Sequence, residues 1–440
     1  RFPFSGALED MLRLSEGLDL ARYADTNGQD ENKVMGNAWR YRDWVVRAFN
    51  ENLPFDQFIT LQLAGDLLPE PGDERRDADR LIATGFLVLG PKMLAEQDKP
   101  KLVMDIIDEQ IDTAGRAFLG LTLGCARCHD HKFDPVSARD YYALAGIFKS
   151  TRTMQDLAFV SKFNERSIAT KAERAALEAH QAKLSEQTNR IELLVREANA
   201  ALTAGSSEPA PKDARARYPK ETQEALGALE KERDRLIASA PVEALALAVD
   251  EAKPVDLPVH LRGSHLTLAE DPVPRGFLTA IQISNQPAIP PERSGRLELA
   301  RWIASGNHPL TARVIVNRLW QAHFGAGLVR SPDNFGLRGE EPTHPELLDW
   351  LARQFIDSGW DVKAMHRLLL RSAVYQQSSR AVLSDPEDRL FARFPRQRLE
   401  AEMIRDSILA VAGRLDATPG GSLVNWKNNE YAPGDDVRHI

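Results

Sequence analysis

The chain has 440 residues, 43% of them hydrophobic and 27% charged, with a formal net charge of −8. That length holds two or three domains with cores of their own, and the weakly acidic balance excludes the basic footprint of a nucleic-acid or anionic-membrane binder. No apolar run reaches the roughly 18 residues of a membrane-spanning helix, so no membrane span is expected.

Residues 1–164 read as a helical domain. The chain begins at Arg1 without an initiator Met or an apolar signal core, so it is expected to be a processed or trimmed form. Asp25-Thr26-Asn27-Gly28-Gln29-Asp30-Glu31 is oxygen-rich, which makes calcium a candidate ligand, but it departs from EF-hand spacing and a simple turn is preferred. Val103, Ile106, Ile107, Ile111, Ala114, Phe118 and Leu121 recur at helical spacing, and this predicts one amphipathic helix running into a cysteine pair. Gly124 stands where that helix stops or where a flat ring approaches the backbone. Ser137-Ala138-Arg139-Asp140 then reads as a capping box ahead of Tyr141, Leu144, Ile147 and Phe148.

Residues 165–240 turn to Ala, Glu, Lys, Arg and Leu, with Leu177, Leu184, Ile191 and Ala198 at heptad spacing. Gly205 to Pro211 breaks that pattern before a second charged segment with Leu226, Leu229, Leu236 and Ile237, which predicts an inserted helical hairpin. Residues 241–285 alternate around Val255, Leu257, Val259 and Leu261 and read as a small β segment. Residues 286–440 return to helical signals. Ser294 and Thr311 open two segments, Pro345 takes the first position of a third with Gly359 beyond its end, and two more run through Met365 to Val374 and Leu399 to Leu415. The expected fold class is mainly α: two helical domains, an inserted hairpin and a small β segment.

The only two cysteines fall in Cys125-Ala126-Arg127-Cys128-His129. Two thiols three positions apart each form a thioether to one haem vinyl, and the following imidazole becomes an axial iron ligand. By chance this arrangement arises on the order of once in ten thousand such chains. The spacing therefore assigns Cys125, Cys128 and His129 as cofactor-binding residues for covalent haem c, with His129 as the metal ligand. Two other uses of the pair stay open: a zinc site completed by His129 and His131, and a redox or structural disulfide. An iron–sulfur cluster needs more thiolates than the chain has.

The other face of the iron decides the chemistry. A strong sixth ligand makes an electron-transfer centre, whereas an open face admits peroxide, oxygen or another small molecule. Candidate ligands are Met154, His260, His308, His323 and His344; His131 is too close in sequence to His129 and reads as a supporting or propionate contact. The alternatives for three of these are a helix cap for His344, a core histidine for His323 and a turn residue for His308. Arg127 and Lys132 are candidate propionate partners, and Asp130 or Asp134 a candidate for orienting His129 through its Nδ1 proton. No nucleophile elbow, Walker A loop or H-E-x-x-H is present.

Longer blocks add to the motif. Leu18-Asp19-Leu20-Ala21-Arg22-Tyr23-Ala24-Asp25, Tyr41-Arg42-Asp43-Trp44, Pro54-Phe55-Asp56-Gln57-Phe58, Ala64-Gly65-Asp66-Leu67-Leu68-Pro69 and Gly120-Leu121-Thr122 through Pro135 resemble the planctomycete cytochrome-c-like domain of unknown function. His308-Pro309-Leu310-Thr311-Ala312-Arg313, Val316-Asn317-Arg318-Leu319-Trp320, His323-Phe324-Gly325 and Thr343-His344-Pro345 through Leu351 resemble its usual C-terminal companion. The resemblance implies a large secreted or periplasmic protein whose activity is unassigned. Many such proteins carry a further N-terminal haem-type domain, absent here, and the C-terminal pattern continues past Gly420-Gly421-Ser422-Leu423, so the last domain is expected to be truncated.

Three readings follow. The first is an extracytoplasmic c-type haem protein that transfers electrons, since thioether attachment takes place outside the bacterial cytoplasmic membrane. The second is a haem-dependent oxidoreductase, peroxidase- or oxidase-like, with an open distal site. The third is a non-haem binding or scaffold protein with a disulfide or zinc at the cysteine pair. The implied partner is a redox partner protein or a small-molecule oxidant or substrate. The sequence assigns no oligomeric state and does not decide whether the chain is an enzyme.

Overall fold

The computed structural model describes residues 18–29, 31–70, 72–203, 213–380, 385–399, 401–416, 421, 424–425 and 430–431. It is mainly helical, with small antiparallel strand pairs. Two compact units are distinguished: Arg1–Arg166 with Ala246–Ile440, and Ser167–Leu245.

The first unit starts with helices α1 (Ala38–Asn50), α2 (Phe55–Ala64) and α3 (Glu74–Ala83). The apolar faces of α1 and α2 meet through aromatic rings, with Trp44 stacked on Phe58 at 5.1 Å between centroids. Helix α4 (Lys99–Ala114) begins where the Asp98 side chain accepts from Lys101 N, and it buries Ile106, Ile107, Ile111 and Ala114 as their spacing predicts. It does not run into the cysteines. Its last turn widens into a π turn over Gly115–Leu119, and Gly120 ends it in the left-handed region at φ 60°. Gly115 opens this turn in close packing, since a Cβ on it would stand 3.0 Å from the Leu121 carbonyl oxygen. Helix α5 (Ala138–Lys149) opens with the predicted capping box, the Ser137 and Asp140 side chains each accepting from the other's backbone.

Short strands follow: β1 (Thr151–Arg152), β2 (Met154–Asp156) and β3 (Lys162–Phe163), with β2 paired to β3. The second unit is the hairpin of α6 (Lys171–Leu202) and α7 (Lys220–Ala238). Its core is Ile191, Ala198, Ala214, Tyr218 and Leu226, and Gln187 Nε2 ties the two helices by donating to the Leu229 carbonyl at 2.8 Å. The Gly205–Pro211 break lies outside the described residues.

Back in the first unit, β4 (Asp250–Glu251) pairs with β1, and β5 (Leu257–His260) pairs antiparallel with β6 (Leu268–Val273). The expected alternation of Leu257, Val259 and Leu261 is not kept. The register shifts between Pro258 and His260, so burial falls on Leu257 and His260 while Leu261 is exposed. Helices α8 (Arg296–Ile303), α9 (Thr311–Phe324), α10 (Pro345–Asp357), α11 (Val362–Leu370) and α12 (Ala401–Val411) follow, and an antiparallel pair of short strands, Val424–Asn425 and Glu430–Tyr431, comes after them. Pro345 takes the first position of α10 and Gly359 lies beyond its end at φ 79°. Ser294 does not cap α8 from the N-cap position, which Gly295 holds; its hydroxyl accepts from Arg296 N one step earlier.

Two buried arginines tie these later helices to the earlier ones. The Arg296 guanidinium donates to both Asp66 carboxylate oxygens at 2.8 Å and to Glu251 at 3.1 Å. Arg318 donates to the carbonyls of Ala117 and Arg116 at 2.5 and 2.7 Å, meeting the negative end of α4 with a cation.

Candidate functional site

After Gly120 the chain runs through buried Leu121 and Leu123 into a 3-10 turn over Gly124–Arg127. Ala126 is fully buried and anchors that turn, while Cys125 before it and Cys128 two residues after it are exposed free thiols. Gly124 makes no close approach, since a Cβ there would meet nothing within 4 Å.

His129 is exposed, and its Nδ1 lies 2.7 Å from the Asp130 carbonyl oxygen. A carbonyl only accepts, so Nδ1 carries the proton and Nε2 keeps its lone pair for a metal. The orienting group is thus the Asp130 backbone and not its carboxylate, which accepts from Ala138 N at the start of α5 (2.8 Å). Among the described residues no three His, Cys, Asp or Glu side chains gather into a metal-holding group. Iron in a haem asks less, because the macrocycle supplies the equatorial donors and the chain only an axial one.

The loop beyond the motif is fixed from inside. His131 accepts from Asp134 N through Nδ1 at 2.9 Å, and buried Asp134 accepts from Leu337 N at 2.6 Å. His131 thus supports the loop, the first of the two roles expected of it, and Asp134 accepts from Leu337 N where an orienting contact to His129 was expected. Arg127 turns inward to Asp105 (2.8 Å) and Asp108 (3.4 Å), away from the propionate role expected of it. Lys132 lies over the half-exposed Phe133 ring at 5.3 Å, and Arg338 approaches the same ring at 5.0 Å. Phe133 and Leu337 leave large apolar surface open to solvent here. Two free thiols, one imidazole with a fixed tautomer, exposed apolar side chains and nearby cations are residues that could hold a covalently attached porphyrin.

Of the candidate sixth ligands, Met154, His308, His323 and His344 make other contacts, while His260 lies beside the motif. Met154 is packed with Leu94, Leu102 and Ile106. His308 is no mere turn residue: its Nδ1 accepts from Leu310 N (3.2 Å) and Thr311 N (3.4 Å) at the start of α9, and it lies 3.0 Å from the Thr311 hydroxyl, which itself donates to the Ile303 carbonyl at 2.7 Å. Burial pushes its pKa down to about 4. His323 faces His366, Nε2 to Nδ1 at 2.6 Å. His344 stands at the N-cap of α10 but makes no capping bond; its Nδ1 meets Thr343 Oγ1 at 3.0 Å. His260 is buried with its ring 4.9 Å from that of Tyr142, whose hydroxyl donates to the Arg127 carbonyl inside the motif at 2.9 Å. Burial, followed by the nearby Arg127 charge, holds His260 below its ordinary pKa.

Around the oxygen-rich loop, Tyr23 donates to Asp25 at 2.8 Å, and buried Asn27 accepts from Lys33 N at 2.5 Å and donates to the Lys92 carbonyl at 2.7 Å. These are the bonds of a tight turn; Asp30 lies outside the described residues. Gly263, Tyr142 and Gly336, each against the motif or its loop, are not singled out by sequence. Their roles come from contacts between distant segments, and a lone Gly or Tyr carries no signal of its target.

Residues 14–153 match the family model PSCyt2, described as a protein of unknown function (DUF1549). Residues 295–438 match PSD1, likewise a protein of unknown function (DUF1553). No curated protein matches the chain, and no solved structure does. Among the described residues no helix is long and apolar enough to cross a membrane. The chain therefore carries the planctomycete cytochrome-c-like domain over residues 14–153 and its companion domain over residues 295–438.

Proposed function

We propose that this chain is an extracytoplasmic c-type haem protein that transfers electrons through a haem bonded to Cys125 and Cys128, with His129 as axial ligand. The observation that carries the reading is the state of the motif: two exposed free thiols beside an imidazole whose Nδ1 is held by a carbonyl, with Nε2 left as a donor. Bound haem supplies a one-electron iron couple. The chain supplies the two sulfurs, the ligand orientation, and a loop held by the α5 N-terminus through Asp130. Exposed Phe133 and Leu337 give apolar surface suited to a ring or to a redox partner protein.

A second reading, a haem-dependent oxidoreductase with an open distal side, draws support from the engagement of Met154, His308 and His323 in other contacts. One experiment addresses both. The protein is made with a signal peptide and the haem attachment machinery, and its spectrum is taken in alkaline pyridine. The haem c bands are expected; their absence would sink both haem readings and favour the disulfide or zinc use of the pair. A stable low-spin spectrum that resists cyanide and carbon monoxide then supports electron transfer, and rapid binding of either supports the open site.

A further inference from the structure

The second thiol of the motif has a neighbour from far along the chain. Between β5 and β6 the backbone doubles back through two successive left-handed residues, Arg262 at φ 54° and Gly263 at φ 75°. Hydrogen bonds from Leu261 N to Thr267 O (2.8 Å) and from Ser264 N to Leu261 O (3.1 Å) close it into a tight turn. Gly263 lies against Cys128, so that a Cβ on it would stand 2.5 Å from Cys128 Sγ. Carbon and sulfur do not pack that closely, and the thiol occupies the space a side chain at 263 would need.

The turn is pinned on both flanks. His260, just ahead of it, packs on Tyr142 and through that hydroxyl reaches the Arg127 carbonyl. His265, within it, meets Asp98 Oδ2 through Nε2 at 2.8 Å, and Asp98 is the cap of α4, the helix that leads to the motif. Gly263 lies in neither of the two matched segments, 14–153 and 295–438. The contact is thus made by the stretch between them.

We infer that the Leu261–Thr267 turn is a positioning clamp for the second thioether, fixing the direction of Cys128 Sγ, with Gly263 as the positioning residue. The role rests on the haem reading. Each thioether forms when a thiol adds across a haem vinyl: sulfur bonds to the carbon next to the ring, the thiol proton goes to the terminal carbon, and nothing leaves. Two such additions to one rigid macrocycle require both sulfurs to be aimed together. One sulfur held by a turn that is itself anchored to α4 and α5 meets that requirement before the ring arrives.

Two readouts test the clamp. In protein made without the attachment machinery, timed alkylation by iodoacetamide with peptide mass mapping gives separate rates for the two thiols. His265→Ala releases the turn and is expected to speed Cys128 about threefold relative to Cys125; an unchanged ratio overturns the clamp. In protein made with the machinery, Gly263→Ala is expected to cut the doubly attached fraction about tenfold, with Cys128 left unmodified. Gly72→Ala is the control, since Gly72 has φ 76° with open space around it and bears the same backbone strain without the contact. Full double attachment in Gly263→Ala removes the clamp alone, whereas a wild type without haem removes its thioether role together with the haem reading. Should Gly263→Ala fail to fold, the His265→Ala ratio decides.

Discussion

His308 shows how one buried side chain sets a pH limit. Its Nδ1 serves as an acceptor at the start of α9, and burial lowers its pKa from the ordinary 6.5 to about 4. Above about pH 6.5 the group is neutral whether the chain is folded or not, and its contribution is complete. As pH falls the unfolded chain takes up the proton first, so stability is lost progressively down to about pH 4, by on the order of 3 kcal/mol. His308→Asn keeps an acceptor and removes the titration; its urea midpoint is expected to change less than that of the wild type between pH 7 and pH 4.5. Arg296 poses a different case, being 1% exposed and paired to an Asp66 side chain only 2% exposed. Asp66→Ala strips the buried cation of its two-bond partner, leaving only Glu251, and is expected to cost about 3 to 5 kcal/mol in denaturant unfolding. Loss under about 1 kcal/mol would mean that Glu251 alone satisfies the guanidinium. Neither role is legible in sequence. Both arise where segments far apart meet, and a histidine before proline or an arginine after Gly295 reads the same whether buried or solvated.

The elements themselves were legible where local chemistry decides them. The apolar face of α4, the Ser137–Asp140 box and Pro345 at the start of α10 all follow from spacing and capping within a few residues. Where α4 ends was not, because the apolar spacing that runs on to Phe118 and Leu121 is the same whether the last turn is α or π. The cysteines and His129 are legible as a motif, but the tautomer of His129 depends on a backbone carbonyl, which has no letter of its own. Asp140 does two jobs: one carboxylate oxygen closes the capping box and the other accepts from Thr279 N at 3.0 Å. Asp140→Ala is accordingly expected to destabilise by about 2 kcal/mol, against about 1 for Ser137→Ala. Equal losses by thermal unfolding would count against the second bond.

At the scale of the whole molecule, the two matched segments are interlocked. Arg296 reaches Asp66, Arg318 reaches the end of α4, and Phe355 packs against Phe55 with centroids 6.2 Å apart. Residues 1–290 and 291–440 produced separately are expected to be poorly folded, and to regain helical circular dichroism when mixed. A cooperative thermal transition in either half alone would contradict that. The hairpin unit differs, having its own small core and ends drawn together by the bond from Ile168 N to Ala244 O at 2.8 Å. Replacing 171–240 with a short Gly-Ser linker is expected to leave the unfolding temperature of the rest within a few degrees.

The π turn at Gly115–Leu119 fits one more residue into the last coil of α4 than an α-helix would hold. A helix rotates by about 100° for each residue. Removing a single residue there, at exposed Arg116 for instance, would restore regular winding and swing all that follows through about that angle. The contacts that hold the motif, from Arg127 to Asp105 and from the Tyr142 hydroxyl to the Arg127 carbonyl, would then have to be made from a different direction of approach. The way the chain enters the motif thus depends on a count of residues several positions upstream of it.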